Sequence, residues 1–170
     1  MQSKQLKDLQ IVEFFITDDI IKYFNLLLDF VSSYPDVFKD TKNSSLDGNC
    51  FYTLNLFDHI STKIFYTYTD NLRLLCENNL NTKLNYFYIH MIDYQNGGKM
   101  NIHKHNHNED YSFILYLNSC NDGETVLCVN DTKYTVTPEQ NKILLFCSGI
   151  PHFAKYSQSK RILVGGFRIK

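Results

Sequence analysis

Two histidines one residue apart, His103 and His105, follow an extended run at residues 99 to 102. Side chains alternate along a strand with period two, so both imidazoles leave the same face. A third, His152, stands about fifty residues later on another strand-like segment, where it could close a facial metal site. Imidazole suits iron, zinc, copper and nickel alike, so the cluster speaks for a metal more clearly than for which metal. Arg161, nine positions beyond His152, opens the apolar run Ile162, Val164, Phe167 and Ile169, so it could point into a barrel mouth. A guanidinium there would pair bidentately with the carboxylate of an anionic co-substrate. Tyr116 could add a hydroxyl to the same carboxylate.

Each residue also has a plainer reading. The tract from Asn101 to Asp110 could be a polar loop, with His107, Glu109 and Asp110 in the turn to the next strand. His152 alone could be a satisfied surface or core residue, Arg161 a surface cation and Tyr116 a core aromatic. His90 sits inside an aromatic-rich strand, away from the cluster, and reads as structural. The order of elements is what favours the chemical reading: Pro138 and the buried run ending at Phe146 would deliver His152 on a strand facing the first two histidines.

The elements that must position these residues fall into two regions. Residues 10 to 16 read as a strand; Thr17, Asp18 and Asp19 then supply an N-cap for a helix with Ile20, Ile21, Phe24, Leu27, Leu28 and Val31 on one face, ended by Pro35. Residues 32 to 49 read as a connection, and 61 to 80 as a second helix. From residue 84 onward short β-branched and aromatic runs are punctuated by turn residues. Strands are expected near 84–94, 99–104, 111–118, 124–129, 133–137, 142–147, 151–157 and 161–169. Eight short strands with tight turns imply a mainly β fold, a jelly roll of the double-stranded β-helix type, with the helices packed on one outer face. The chain reads as one domain over 1–170, with a leading strand and helices at 1–83 and the jelly-roll core at 84–170.

Composition sets outer limits. The chain has 170 residues with 17 basic and 18 acidic side chains, so the totals show no electrostatic footprint for nucleic acid or membrane. Five cysteines, an odd number without a C-x-x-C pair, point to reduced thiols and a cytoplasmic setting, in a host cell if the source is viral. No apolar run approaches the roughly 18 to 20 residues of a membrane span.

Taken together, Tyr94-x-x-Gly97, His103, Tyr116-Leu-Asn118, Gly123-Glu-Thr125, Pro138, Phe146, His152 and Arg161 resemble the iron and 2-oxoglutarate dependent dioxygenases, in particular the small prolyl-hydroxylase-like group. The resemblance spans residues 84 to 170. It implies Fe(II) bound by His103, His105 and His152, with 2-oxoglutarate as co-substrate and ascorbate as an accessory reductant. It further implies that Arg161, with Tyr116 or Ser112 nearby, holds the distal carboxylate. The implied substrate is a protein or peptide side chain or a small molecule, with segments 47–57 and 86–96 lining the entrance. One departure stands out: His105 occupies the place of the family's carboxylate ligand, which leaves the metal more positively charged. Glu109 is an alternative anionic ligand. Asn141 stands where a glycine is usual, a mild change because Asn tolerates left-handed backbone.

The same residues also resemble the cupin pattern, through Gly97, His103, His105, Glu109, Gly149 and His152. A cupin shares the barrel and implies a metal-binding protein of another activity. A non-catalytic jelly-roll scaffold is the third reading.

Overall fold

A change of hydrophobic period at Thr17 divides the leading region. In the computed structural model, which describes residues 4–6, 11–105 and 108–170, strands β1 (Lys4–Leu6) and β2 (Ile11–Phe15) precede it and helix α1 (Asp18–Ser32) follows. Asp18 and Asp19 lie in the first turn of α1, where acidic groups complement the helix dipole. Ile20, Ile21, Phe24, Leu28 and Val31 form its buried face. Removing each from water contributes roughly 1.5 to 3 kcal/mol. The helix ends at Ser32, just ahead of Pro35, which cannot continue it. The fixed φ of Pro35 also suits a first turn, and it opens a short helix α2 (Pro35–Phe38).

The segment expected to be a connection contributes two short strands, β3 (Leu46–Gly48) and β4 (Phe51–Tyr52). Three and two residues are too few for alternation to be legible. Helix α3 (Lys63–Leu80) comes next, with Thr62 at its N-cap and Asn81 in left-handed conformation at its C-cap.

The eight expected strands all form: β5 (Leu84–Asp93), β6 (Gly98–His103), β7 (Tyr111–Tyr116), β8 (Thr125–Val129), β9 (Thr132–Val136), β10 (Lys142–Cys147), β11 (His152–Ser157) and β12 (Arg161–Ile169). They build a double-stranded β-helix of two antiparallel sheets. One has the order β1-β2-β10-β7-β12-β5-β4 and the other β3-β6-β11-β8-β9. The larger sheet buries both faces. Val12, Phe113, Leu115, Leu145 and Leu163 point outward against the helices. The alternating positions, Ile92, Ile114, Tyr116, Leu144 and Ile162, point into the barrel. Asn141 has φ 72° at the turn into β10, which fits its standing where a glycine is usual. None of the described helices is long and apolar enough to cross a membrane.

Glu77 joins the two regions. Its buried carboxylate, near the end of α3, accepts hydrogen bonds from the Leu84 amide at 2.8 Å and Arg73 Nη1 at 2.6 Å, and pairs with Lys83 at 3.2 Å. The Leu84 amide above all, with Lys83 and Arg73, holds the carboxyl down to about 2. A carboxyl depressed on folding stabilises above its unfolded value and loses that contribution as pH falls through the folded one. Glu77→Ala should therefore cost about 2 to 3 kcal/mol at neutral pH. In chemical denaturation the gap between the two proteins should close as pH falls from the unfolded value of 4.5 toward 2.

Candidate metal centre

Strand β11 lies between β6 and β8, and its register puts His152 directly opposite His103. Their rings are 4.3 Å apart between centroids. His105 lies two residues past the end of β6, where its amide donates to the Ser148 carbonyl at 3.1 Å. Its ring stacks on that of His152 at 5.2 Å with an interplanar angle of 14°. The loop after β10 therefore fixes the histidine that the strand itself does not hold. His107 lies outside the described residues.

Each imidazole is anchored through Nδ1. His103 Nδ1 is 2.8 Å from the Asn101 carbonyl and His152 Nδ1 is 2.9 Å from the Ile150 carbonyl. His105 Nδ1 is 2.8 Å from Glu109 Oε1. Among the described residues no hydrogen bond reaches Nε2 of these rings, which leaves that nitrogen as the donor for a metal. One ligand atom from each residue lies within 4.8 Å of the others, and donors sharing a face of an ion at ~2.1 Å stand about 3.0 to 3.4 Å apart, so the rings need to close by up to about 1.4 to 1.8 Å. Burial pushes the His103 imidazole down, and burial followed by the neighbouring His103 pushes His152 down to about 3. Clustered, outwardly anchored imidazoles are a donor set suited to a divalent cation.

The three histidines line a cavity of about 400 Å³ inside the barrel. Among the described residues its lining is aromatic and uncharged apart from Lys104, an exposed residue. Tyr52, Tyr88 and His90 form one wall, with Tyr52 and His90 stacked at 4.9 Å. His90 thus belongs to the cavity, contrary to its reading as remote from the cluster: β5 runs alongside β12 and turns His90 inward, with Nδ1 held by the Thr53 carbonyl at 2.8 Å.

The residues expected to hold an anionic co-substrate separate. Ser112 lines the cavity, and its hydroxyl is 3.4 Å from Glu109 Oε1. Tyr116 is fully buried and donates to Thr125 Oγ1 at 2.8 Å, and Thr125 lines the cavity. Arg161 is elsewhere. Its guanidinium donates to Asn25 at 2.9 Å, pairs with Asp29 and lies 3.4 Å from Asp93. The cause is strand parity: Ile162 and Val164 face the cavity, so Arg161 and Leu163 face the helical layer.

Parity returns Lys160 to the inner side. It is fully buried, donates to the Gly123 carbonyl at 2.6 Å, and lies 4.4 Å from the centroid of the Tyr94 ring, which lines the cavity. The Tyr94 hydroxyl is buried without a hydrogen-bond partner among the described residues. Burial pushes Lys160 down to about 8. Sequence reading passed over Lys160 because a lysine beside an arginine before a strand looks like surface. The signal was there in its even spacing from Ile162 and Val164.

No protein-family model matches the sequence, and no curated protein matches it. Solved structures do match. A prolyl-4-hydroxylase from Pseudomonas putida superposes with a TM-score of 0.73 at 19% identity, over 97% of this chain and 95% of that one. A prolyl hydroxylase from Trichoplax adhaerens, solved with a peptide fragment of the hypoxia inducible factor oxygen degradation domain, gives 0.70 at 18% identity over 96% and 86%. HygX from Streptomyces hygroscopicus, with nickel and 2-oxoglutarate bound, gives 0.69 at 10% identity over 94% and 83%. The chain therefore shares the double-stranded β-helix fold of prolyl hydroxylases and other 2-oxoglutarate and iron(II) oxygenases.

Proposed function

We propose that this chain is an oxygenase that uses Fe(II) and 2-oxoglutarate to hydroxylate a peptide side chain or a small molecule. The observation that carries this reading is the convergence of three anchored imidazoles on the wall of a cavity of about 400 Å³. His103, His105 and His152 would hold the ferrous ion through Nε2. With 2-oxoglutarate, that ion supplies activation of O2, one oxygen atom going to the substrate C–H bond while the oxo acid leaves as succinate and CO2.

The chain's own groups bind and orient. The distal carboxylate of 2-oxoglutarate meets the Tyr94 hydroxyl, with Lys160 as the buried cation behind the Tyr94 ring, in place of Arg161. Tyr94 offers an unused donor, and Lys160 is a desolvated cation with no ion-pair partner among the described residues. An incoming carboxylate would relieve the cost of that buried charge. Ile162, Val164 and Phe146 keep the cavity interior apolar, which excludes water from the reacting centre. Tyr52, Tyr88 and His90 present an uncharged aromatic wall to the substrate, suited to a neutral segment of peptide or metabolite. The peptide held by the Trichoplax enzyme supports the peptide class.

Anaerobic calorimetry with Fe(II), or with Mn(II) in its place, tests the metal site. Wild-type protein should bind about one ion, and His152→Ala should lose it while keeping its circular dichroism. Full occupancy in His152→Ala would overturn the ligand assignment.

The co-substrate site has its own test. Lys160→Met should weaken 2-oxoglutarate binding to the metal-loaded protein on the order of a hundredfold, because one partner of a buried charge pair is gone. Arg161→Ala should leave that affinity within about threefold, since its loss falls on the contact with α1. The opposite pattern would restore Arg161 to the site. A metal-loaded wild-type protein that binds no 2-oxoglutarate and releases no succinate, with ascorbate present, would defeat the oxygenase reading.

A further inference from the structure

Glu109 is neither at the surface nor among the clustered donor atoms. Its side chain is 2% exposed, and Oε1 lies 2.8 Å from His105 Nδ1. The same oxygen accepts from Tyr88 at 3.2 Å and lies 3.4 Å from the Ser112 hydroxyl. Its other oxygen, Oε2, is buried and unpartnered. The surroundings hold it there: the Ser148 hydroxyl donates to the Glu109 carbonyl at 2.5 Å, and the following amide, of Asp110, donates to the Phe167 carbonyl at 2.7 Å. Gly166 leaves the room the carboxylate occupies, for a β-carbon there would stand 1.5 Å from Oε2. A buried carboxylate held against the back of one imidazole needs a reason, since an unpaired charge in such a place is strongly destabilising.

Charge and geometry supply the reason together. A divalent ion held by three neutral imidazoles keeps both of its positive charges, whereas two imidazoles and a carboxylate leave it one. We propose that Glu109 is a positioning residue that acts through His105: it accepts the hydrogen bond donated by Nδ1–H, turns Nε2 toward the metal, and supplies from behind the ring the negative charge that a carboxylate at position 105 would supply directly. The net charge of the centre is then that of a two-histidine, one-carboxylate site, with the anion moved outward by one imidazole. Carboxylates that hold a metal-bound histidine in this way raise its basicity, and losing one typically weakens metal binding 10- to 100-fold. This inference rests on the metal site proposed above.

Co(II) affinity, measured by calorimetry and by the visible absorption band of the bound ion, tests it in three backgrounds. Glu109→Gln should weaken Co(II) binding by about 10- to 100-fold, because the amide keeps an acceptor for Nδ1 but removes the charge. In His105→Ala the same change should cost less than about twofold, since nothing remains for Glu109 to act through. In His105→Asp, where the ligand carries the charge itself, Glu109→Gln should cost nothing or improve binding. A merely structural glutamate would cost the same in all three. Equal affinity of Glu109→Gln and wild type would overturn the proposal. So would an undiminished loss in His105→Ala, which would make Glu109 a direct ligand. If Glu109→Gln does not fold, Tyr88→Phe removes one donor to the same oxygen and should give a loss of about threefold with the same dependence on position 105; a loss independent of position 105 would count against the proposal. Failure of wild type to bind Co(II) at all would refute the metal site, a result distinct from these.

Discussion

The pairing of His103 with His152 across β6 and β11 is the contact on which the rest of the centre depends. Antiparallel register sets it, and a slip of one residue would turn one imidazole out of the barrel. With that pair in place, His105 needs only two further residues and one hydrogen bond to Ser148 to join it. The β10–β11 turn thus has two tasks: it begins the strand that carries His152, and through Ser148 it holds both His105 and the backbone of Glu109. The β6–β7 segment, some forty residues away in sequence, thus meets that turn.

Around the centre the protein separates charge from cavity. Arg161, which reads as a cation for the interior, binds α1 to the outer face of the larger sheet through Asn25 and Asp29. Apart from the exposed Lys104, the buried charges near the cavity among the described residues are Lys160 and Glu109, and each lies one ring away from it, behind Tyr94 and His105 respectively. An aromatic ring between a charge and a low-dielectric cavity passes on the electrostatic field while excluding water from the space inside. The buried lysine and the unpartnered Glu109 oxygen both cost stability, and such departures from folding rules gather at functional sites.

The strands of the barrel were legible in the sequence because each is a run of five or more residues, rich in β-branched and aromatic side chains and bounded by turn residues, and that composition is a local property. The type and spacing of His103, His105 and His152 were legible locally too: a period of two fixes which side chains share a face. The short strands β3 and β4 were not, being two or three residues long and held by their partners β6 and β5. Which face of β12 looks inward, and therefore whether Arg161 or Lys160 approaches the cavity, was equally hidden. Parity along a strand is written in the sequence, but the choice of inner face depends on where the helices pack, and Leu163 goes to them together with Arg161. His90 entered the cavity wall because β5 lies beside β12, a neighbour some seventy residues away that no local pattern reveals. Glu109 looked like a possible ligand by spacing alone; its place behind His105 was decided by the Ser148 turn, the Phe167 carbonyl and the space at Gly166, three contacts that exist only once the sheets have closed on one another.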